Sequence, residues 1–465
     1  MKTNQKTMRL IAVLLVLVMM ICASACSGSD VDERQSRETG KATPTEKQKD
    51  PAPTEGEKDP TPTEGVPEAT PTPTPEPVKL TIWVDSAERD FDWQVFDKAV
   101  NEMRELHPEI LVQLEGMDHY TYETKLSAAV DFGALPDIFL LNPNSRFMEM
   151  VKDGLLCNMD DAALVYGNKL PDSMKQSFSV NGKLYAAPCE TSSILMFANM
   201  EVLSKVGYTE VPATWDEFLK CCDELAAAGI TPCGCSGREQ WCMTEYLEYI
   251  MLRTGGRDML YDIYYNGATW NNNTIADAVD LFRNMGQKGY FAYNMYDMNN
   301  DTVKQKFLDN EYAFYVNGTW NVEVFENTED NRIRVVPFPG FGNPESGTGD
   351  YIGGAVAALA VPTTSLNAEE AVPYALELSR LISKYQQLTG GLFPVWEIDY
   401  DCSNLSEMRR SVAKMLLEAN SFIYFADSAL SPDDASAYLY AVSKLSFYDS
   451  TDGAEFIKEM SENVR

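Results

Sequence analysis

Chemistry near neutral pH calls for nucleophiles, bases or metal ligands, and this sequence holds few in workable arrangements. His107 and His119 are its two histidines, which leaves little material for histidine-based acid–base catalysis or a His-rich metal site. Beyond Cys22 and Cys26, the cysteines are Cys157, Cys189, Cys221, Cys222, Cys233, Cys235, Cys242 and Cys402, five of them between 221 and 242. The C-x-C of Cys233 and Cys235, with Cys242 seven further on, is not a standard zinc spacing. A thiol nucleophile would want a histidine nearby, and none is close in sequence. Disulfides, buried free thiols and a metal all stay open for these residues. No P-loop, H-E-x-x-H, G-x-S-x-G or post-strand G-x-G-x-x-G is present. With 70 acidic residues, some pair will always resemble a glycosidase acid and base, and sequence does not give the separation that such chemistry needs. What remains is recognition. In "EYAFYVNGTWN" (311–321) a strand-like run meets Asn317 and Gly318, and Trp320 follows. The Asn-Gly pair predicts a sharp turn, and the ring after it fills either core or a ligand wall.

Those residues need elements to position them. The chain has 465 residues, 45% hydrophobic, enough for a large core in two or more domains. Its formal net charge of −32 repels phosphate backbones and anionic lipid, which excludes nucleic acid as an expected partner. Lys2, Lys6 and Arg9 precede twelve apolar residues (10–21) and "ASAC" (23–26). That run is too short for an ordinary transmembrane helix. It resembles a bacterial lipoprotein signal, residues 1–25, after whose removal Cys26 becomes the lipidated first residue. Residues 26–77 are rich in Pro, Thr, Glu and Lys, cannot bury a core and read as an extended tether. The chain is therefore expected on the extracellular face of the cell membrane, lipid-anchored.

Order begins near Lys79. "KLTIWV" (79–84), "EILVQLE" (109–115) and "PDIFLLN" (136–142) read as strands, with helices between them. This β-α-β-α-β alternation predicts an α/β fold with a mainly parallel sheet, whose ligands bind at the carboxyl ends of strands. Asp85, Ser86 and Glu88 follow the first strand; Asn142, Asn144 and Arg146 follow the third. The pattern restarts at "SILMFAN" (193–199). Thr214 and Glu217 form a capping box, and Gly229 and Gly255 are expected helix stops. Trp83 and Trp215 are expected in the core.

The order of these features resembles the extracellular solute-binding proteins of ATP-binding cassette importers, in their maltose-binding-like, carbohydrate-oriented branch. "KLTIWV", "LPDIFLLNPNSRFMEMVKDGLLCNMDD", "NGKLYAAPCETSSILMFANMEVLSKVG", "VPATWDEF", "DNEYAFYVNGTWN" and "GGAVAALAVPTTS" carry the resemblance, over about 78–465. It implies a two-lobed periplasmic-binding-protein-like fold of type II, each lobe a mainly parallel sheet flanked by helices. The expected lobes are 78–190 with 338–396, and 191–337 with 397–465. It also implies that a mono- or oligosaccharide binds in the cleft between lobes, with delivery to permease subunits and, indirectly, a cytoplasmic ATPase. No catalysis, cofactor or metal is expected, and the chain is expected to be a monomer. The implied ligand contacts are Asp85, Ser86, Glu88, Asn142, Asn144, Arg146, Glu190, Ser192, Glu239, Trp241 and Trp320. A cell-surface glycan-degrading enzyme would differ by making product, and a static glycan-adhesion protein by binding polymer without lobe closure.

Overall fold

The computed structural model describes residues 77–328, 332–343, 347–445 and 451–464; the signal segment, Cys26 and all but the last residue of the tether lie outside them. The first three strands are β1 (Val78–Asp85), β2 (Ile110–Met117) and β3 (Ile138–Leu141). In β1, Leu80, Ile82, Trp83 and Val84 are all buried, as an interior strand covered on both faces requires. It pairs in parallel with β2 and with β3. Helices α1 (Phe91–Leu106) and α2 (His119–Phe132) make the crossovers, and α3 (Ser145–Lys152) follows β3.

Two long strands then carry the chain across the molecule. All thirteen residues of β4 (Ala187–Asn199) are buried, six residues more on the amino side than the apolar run at 193–199 suggested. Beyond it come α4 (Trp215–Ala227), β5 (Thr231–Gly234), α5 (Trp241–Tyr265), α6 (Asn300–Leu308), β6 (Tyr312–Gly318) and β7 (Ile333–Val336). The return strand is β8 (Asp350–Ala360), followed by α7 (Ala368–Thr389), β9 (Ser421–Ile423) and α8 (Pro432–Ser443). The first half of β4 lies antiparallel to β8; its second half lies antiparallel to β6 on one side and β7 on the other. The order is β2-β1-β3-β8-β4-β6-β5, with β9 on β8 and β7 on β4. Pairing is parallel in the outer strands and antiparallel where β4 and β8 meet.

The β4–β8 contact is tight enough to dictate residue types. Gly353 has φ +122°, and a Cβ there would sit 2.3 Å from the Ser192 carbonyl oxygen. Further along, β8 bulges between Ala355 and Ala358, and Asn142 Nδ2 donates to the freed Val356 carbonyl at 2.8 Å.

Local expectations hold at α4, where Thr214 and Glu217 form both bonds of the capping box and Gly229 (φ +76°) lies beyond its end. Trp83 and Trp215 are buried. Gly255 does not stop its helix: α5 runs through it and breaks at Gly256 (φ +80°). Arg253 and Arg257 flank the break and donate to the carbonyls of Asp350, Phe338 and Phe422. The eight described cysteines are free. Burial holds the Cys189, Cys222 and Cys235 thiols well above their ordinary range and pushes Cys221 up to about 12, so they fill space as poor nucleophiles. No helix among the described residues is long and apolar enough to cross a membrane.

Gly353→Ala combines a disfavoured backbone conformation with a clash against β4 that no side-chain rotation relieves. It is expected to lower stability by more than about 2 kcal/mol, read as a fall in the urea midpoint; an unchanged midpoint would show that β4 and β8 can separate freely.

Candidate functional site

Helix α5 is buried on all sides from Cys242 to Leu252, yet it carries two different stripes. Tyr246 and Tyr249 face the sheet: the Tyr246 hydroxyl donates to the Gly234 carbonyl at 3.0 Å and accepts from Val316 N. The Tyr249 hydroxyl donates to the Ile194 carbonyl. Trp241, Thr244, Glu245 and Glu248 occupy the other face at spacings of three, four and seven. All four line a cleft of about 490 Å³. Its base is Ile194 of β4 and Ile352 of β8; Asn300, Asp301 and Lys304 come from α6, Trp320 follows β6, and Tyr424, Phe425, Asp427 and Ser428 follow β9. The cleft thus sits where the two long strands cross.

Trp320 stands on a built platform. Gly318 is extended (φ −76°, ψ 160°), so the sharp turn expected at Asn317-Gly318 is absent. The glycine is required for another reason: the Trp320 ring lies on its Cα, and a Cβ there would meet ring atoms at 2.1 Å. Asn317, expected to help the turn, is instead a fully buried hub. Its Oδ1 accepts from Gly318 N at 2.9 Å and from Asn321 Nδ2 at 2.7 Å, while its Nδ2 donates to Asn300 Oδ1 at 3.1 Å. Tyr315 donates to the same Asn300 oxygen at 2.5 Å. Thr319 Oγ1 accepts from Ser193 N at 3.3 Å and lies 2.8 Å from Ser192 Oγ. Held this way, the Trp320 ring is 45% exposed and meets Trp241 edge to face, with centroids 5.9 Å apart.

The cleft's electrostatics are dominated by carboxyl groups. Glu245 is 4% exposed, and neither of its oxygens has a hydrogen-bond partner among the described residues. Burial, with Glu248 and Asp427 nearby, holds its pKa well above the usual carboxylate range. Glu248 accepts from Ala426 N at 3.3 Å and from the Tyr438 hydroxyl at 3.2 Å. Its pKa is pushed up to about 8, mainly by burial and then by Asp427. Asp427 is itself raised by burial. Lys304, the cation of the lining, is bound to Asp301 at 2.8 Å.

The two tryptophans named from sequence come together here; the other named residues do not line this cleft. Glu239 lies just ahead of α5, its N–H on Ser236 Oγ. Glu190 is buried within β4 and accepts from Gln386 Nε2 at 2.5 Å; burial, then Asp92, raises its pKa to about 8. Ser192 engages Thr319 as above. Asn142 pins the β8 bulge, and Asn144 caps α3 by accepting from Phe147 N at 3.3 Å. Arg146 donates to Glu123 at 2.6 Å. Asp85 accepts from His119 Nδ1 at 2.7 Å, a bond that raises the His119 pKa. Ser86 is buried with an unpartnered hydroxyl, and Glu88 is exposed. Asp85, His119 and Glu123 place their ligating atoms within 4.8 Å of one another, but the Arg146 and His119 pairs already occupy the two carboxylates.

Sequence reading missed Thr244, Glu245, Glu248, Asn300 and Asp427. A signal was present for the first three: "WCMTEYLEY" (241–249) sets a polar stripe at helical spacing inside an otherwise apolar helix.

Residues 98–381 match the profile described as bacterial extracellular solute-binding protein. The multiple sugar-binding protein of Streptococcus mutans is 24% identical over 321 residues, 67% of this chain and 74% of that one. The diacetylchitobiose-binding protein of Streptomyces coelicolor is 29% identical over 139 residues, 30% and 32% of the two chains. Among solved structures, the sugar-binding protein MalE of Xanthomonas citri superposes with TM-score 0.67 at 18% identity, over 83% of this chain and 96% of that one. A structure from work on xylan utilization by Caldanaerobius polysaccharolyticus gives 0.65 at 23%, over 83% and 100%. These likenesses establish the two-lobed type II periplasmic-binding-protein fold.

Glu190 and Glu248 are neutral in the fold and charged in the unfolded chain between about 4.5 and about 8. The fold then binds more protons than the unfolded chain, so stability falls as pH rises through that window and levels off above it. Each group contributes at most about 1.4 kcal/mol per pH unit. Glu248→Gln removes one such slope. The melting temperature of the variant relative to the native protein is expected to climb from about pH 5 to about pH 8; a gap independent of pH would show Glu248 to be ionised in the fold.

Proposed function

The chain belongs to the bacterial extracellular solute-binding proteins, and from that premise we propose that it captures a mono- or oligosaccharide in the Trp241–Trp320 cleft. The observation that carries this reading is the pairing of the exposed Trp320 and the partly buried Trp241 with buried carboxyl groups in one cleft. Rings offer flat apolar faces to the C–H faces of a sugar, and carboxylates accept from its hydroxyls, which need partners once desolvated. The curated relatives named for sugars support the same class. Binding proceeds without chemistry, and the sugar passes to permease subunits driven by a cytoplasmic ATPase. Cys26 carries the lipid anchor, with residues 26–77 as the tether on the extracellular face, and the protein acts as a monomer.

We read the two lobes as proposed from sequence, with one shift. Phe338 packs near Trp215 and Phe218, and Gly340 bridges to Thr214. That packing supports placing the return crossing at Gly353-Gly354 rather than at 338. Lobe closure follows ligand-favoured population of the closed state. Of the first-strand loop, Ser86 keeps a buried hydroxyl with no hydrogen-bond partner among the described residues. Asp85, Asn142, Asn144, Arg146, Glu190 and Ser192 have internal partners and act by holding the loops and crossing strands in place.

A cognate sugar is expected to raise the melting temperature by mass action and to change tryptophan emission, whereas a glycan-degrading enzyme would release product. Trp320→Ala is expected to weaken binding by about 1–3 kcal/mol with the fold intact. A broad mono- and oligosaccharide panel giving neither thermal shift nor emission change would sink the carbohydrate reading. An unaltered dissociation constant in the variant would remove Trp320 from the site.

A further inference from the structure

We propose that this cleft selects saccharides bearing a protonated amine over their neutral counterparts, with Glu245 receiving the ammonium group. The inference rests on the carbohydrate reading above and specifies its substrate class.

The lining is dominated by acidic groups. From α5 come Glu245 and Glu248, from the segment after β9 comes Asp427, and from α6 come Asp301 and Lys304. Four carboxyl groups therefore face one ammonium, and that ammonium is bound to Asp301. Two of its hydroxyl donors are also engaged: Thr244 Oγ1 donates to the Trp241 carbonyl at 2.8 Å and Ser428 Oγ to Asp427 at 3.1 Å. Glu245 is left with two buried oxygens and no donor of its own.

A sugar hydroxyl brings one donor and two lone pairs. Being neutral, it can hydrogen-bond to these acids but does nothing to stabilise their ionised forms. An ammonium brings three donors and no lone pair, which matches the lining group for group. Its charge offsets the repulsion that Glu245, Glu248 and Asp427 would exert on one another once ionised, and the indole faces of Trp241 and Trp320 are favourable surfaces for a cation. Burial and neighbouring acids favour the protonated form of Glu245 and Glu248, so pairing them with an ammonium is accompanied by loss of protons to solvent.

The test uses the full chain and matched sets of sugars: glucosamine, N-acetylglucosamine and glucose, the corresponding galactose set, and their β-linked disaccharides. Binding is measured by calorimetry and by tryptophan emission at two salt concentrations. The amine is expected to bind at least tenfold more tightly than its neutral partners in at least one set, with the advantage shrinking as salt rises. Glu245→Gln and, separately, Asp427→Asn are expected to cut amine affinity several-fold more than they cut the affinity for neutral sugars. Calorimetry of the amine in buffers of different ionisation enthalpy is expected to show proton release. Neutral sugars binding as tightly as amines in every set that binds would overturn this inference and leave the carbohydrate reading standing. A failure of every sugar, amine or neutral, would overturn both.

Discussion

The antiparallel contact between β4 and β8 is the constraint on which the rest of the molecule depends. Each strand serves two neighbourhoods: β4 pairs with β8 over its first half and with β6 and β7 over its second. Because the backbones approach so closely at Ser192 and Gly353, no side chain fits between them. Ile194 and Ile352, just beyond that point, become the base of the cleft. A bulge in β8 accommodates the twist of two long strands, and Asn142 satisfies the carbonyl that the bulge leaves free.

Above that base, rigidity and exposure are divided between different residues. Trp320 is exposed because its surroundings are not: Asn300, Asn317, Thr319 and Asn321 are buried and bonded to one another and to β4. A buried amide left unpaired costs about 1–3 kcal/mol, so such a network is stable only when complete. It fixes the ring without covering it. The carboxyl groups follow the opposite rule, since Glu245 is buried and unpaired. A fold built only for stability would not keep an unpaired acid in its interior. Its presence beside Trp241 and the exposed Trp320 supports the proposal that this cleft keeps hydrogen-bonding capacity for a ligand.

Much of this was legible beforehand. The strands at 78–85, 110–117 and 138–141, the capping box at Thr214 and the burial of Trp83 and Trp215 follow from short-range pattern, because period and capping chemistry act within a few residues. Trp241 and Trp320 could be named as candidates because the resemblance to the solute-binding family implies a cleft aromatic at each position. Asn317 and Gly318 show how a correct residue can carry a wrong reason. The Asn-Gly pair suggests a turn, yet the backbone is extended there; the glycine makes room for a ring two residues on, and the asparagine bonds to α6. Ring packing and a bond across seventeen residues are not properties of the dipeptide.

The amino-acid sequence by itself determined the α/β class, the family and the acidic character, because each is written in composition, periodicity or the order of motifs; the two indoles followed from the family resemblance. Which acids matter was decided only by the tertiary structure. Glu190, Glu239 and Glu245 are similar residues in sequence, yet one is bonded to Gln386 inside a strand, one stands ahead of a helix, and one is buried unpaired beside two rings. A carboxyl group's protonation and reach depend on burial and on charges brought close by the fold. Glu248 and Asp427, 179 positions apart by number, become one electrostatic unit only after β8 and β9 have brought the chain back to α5.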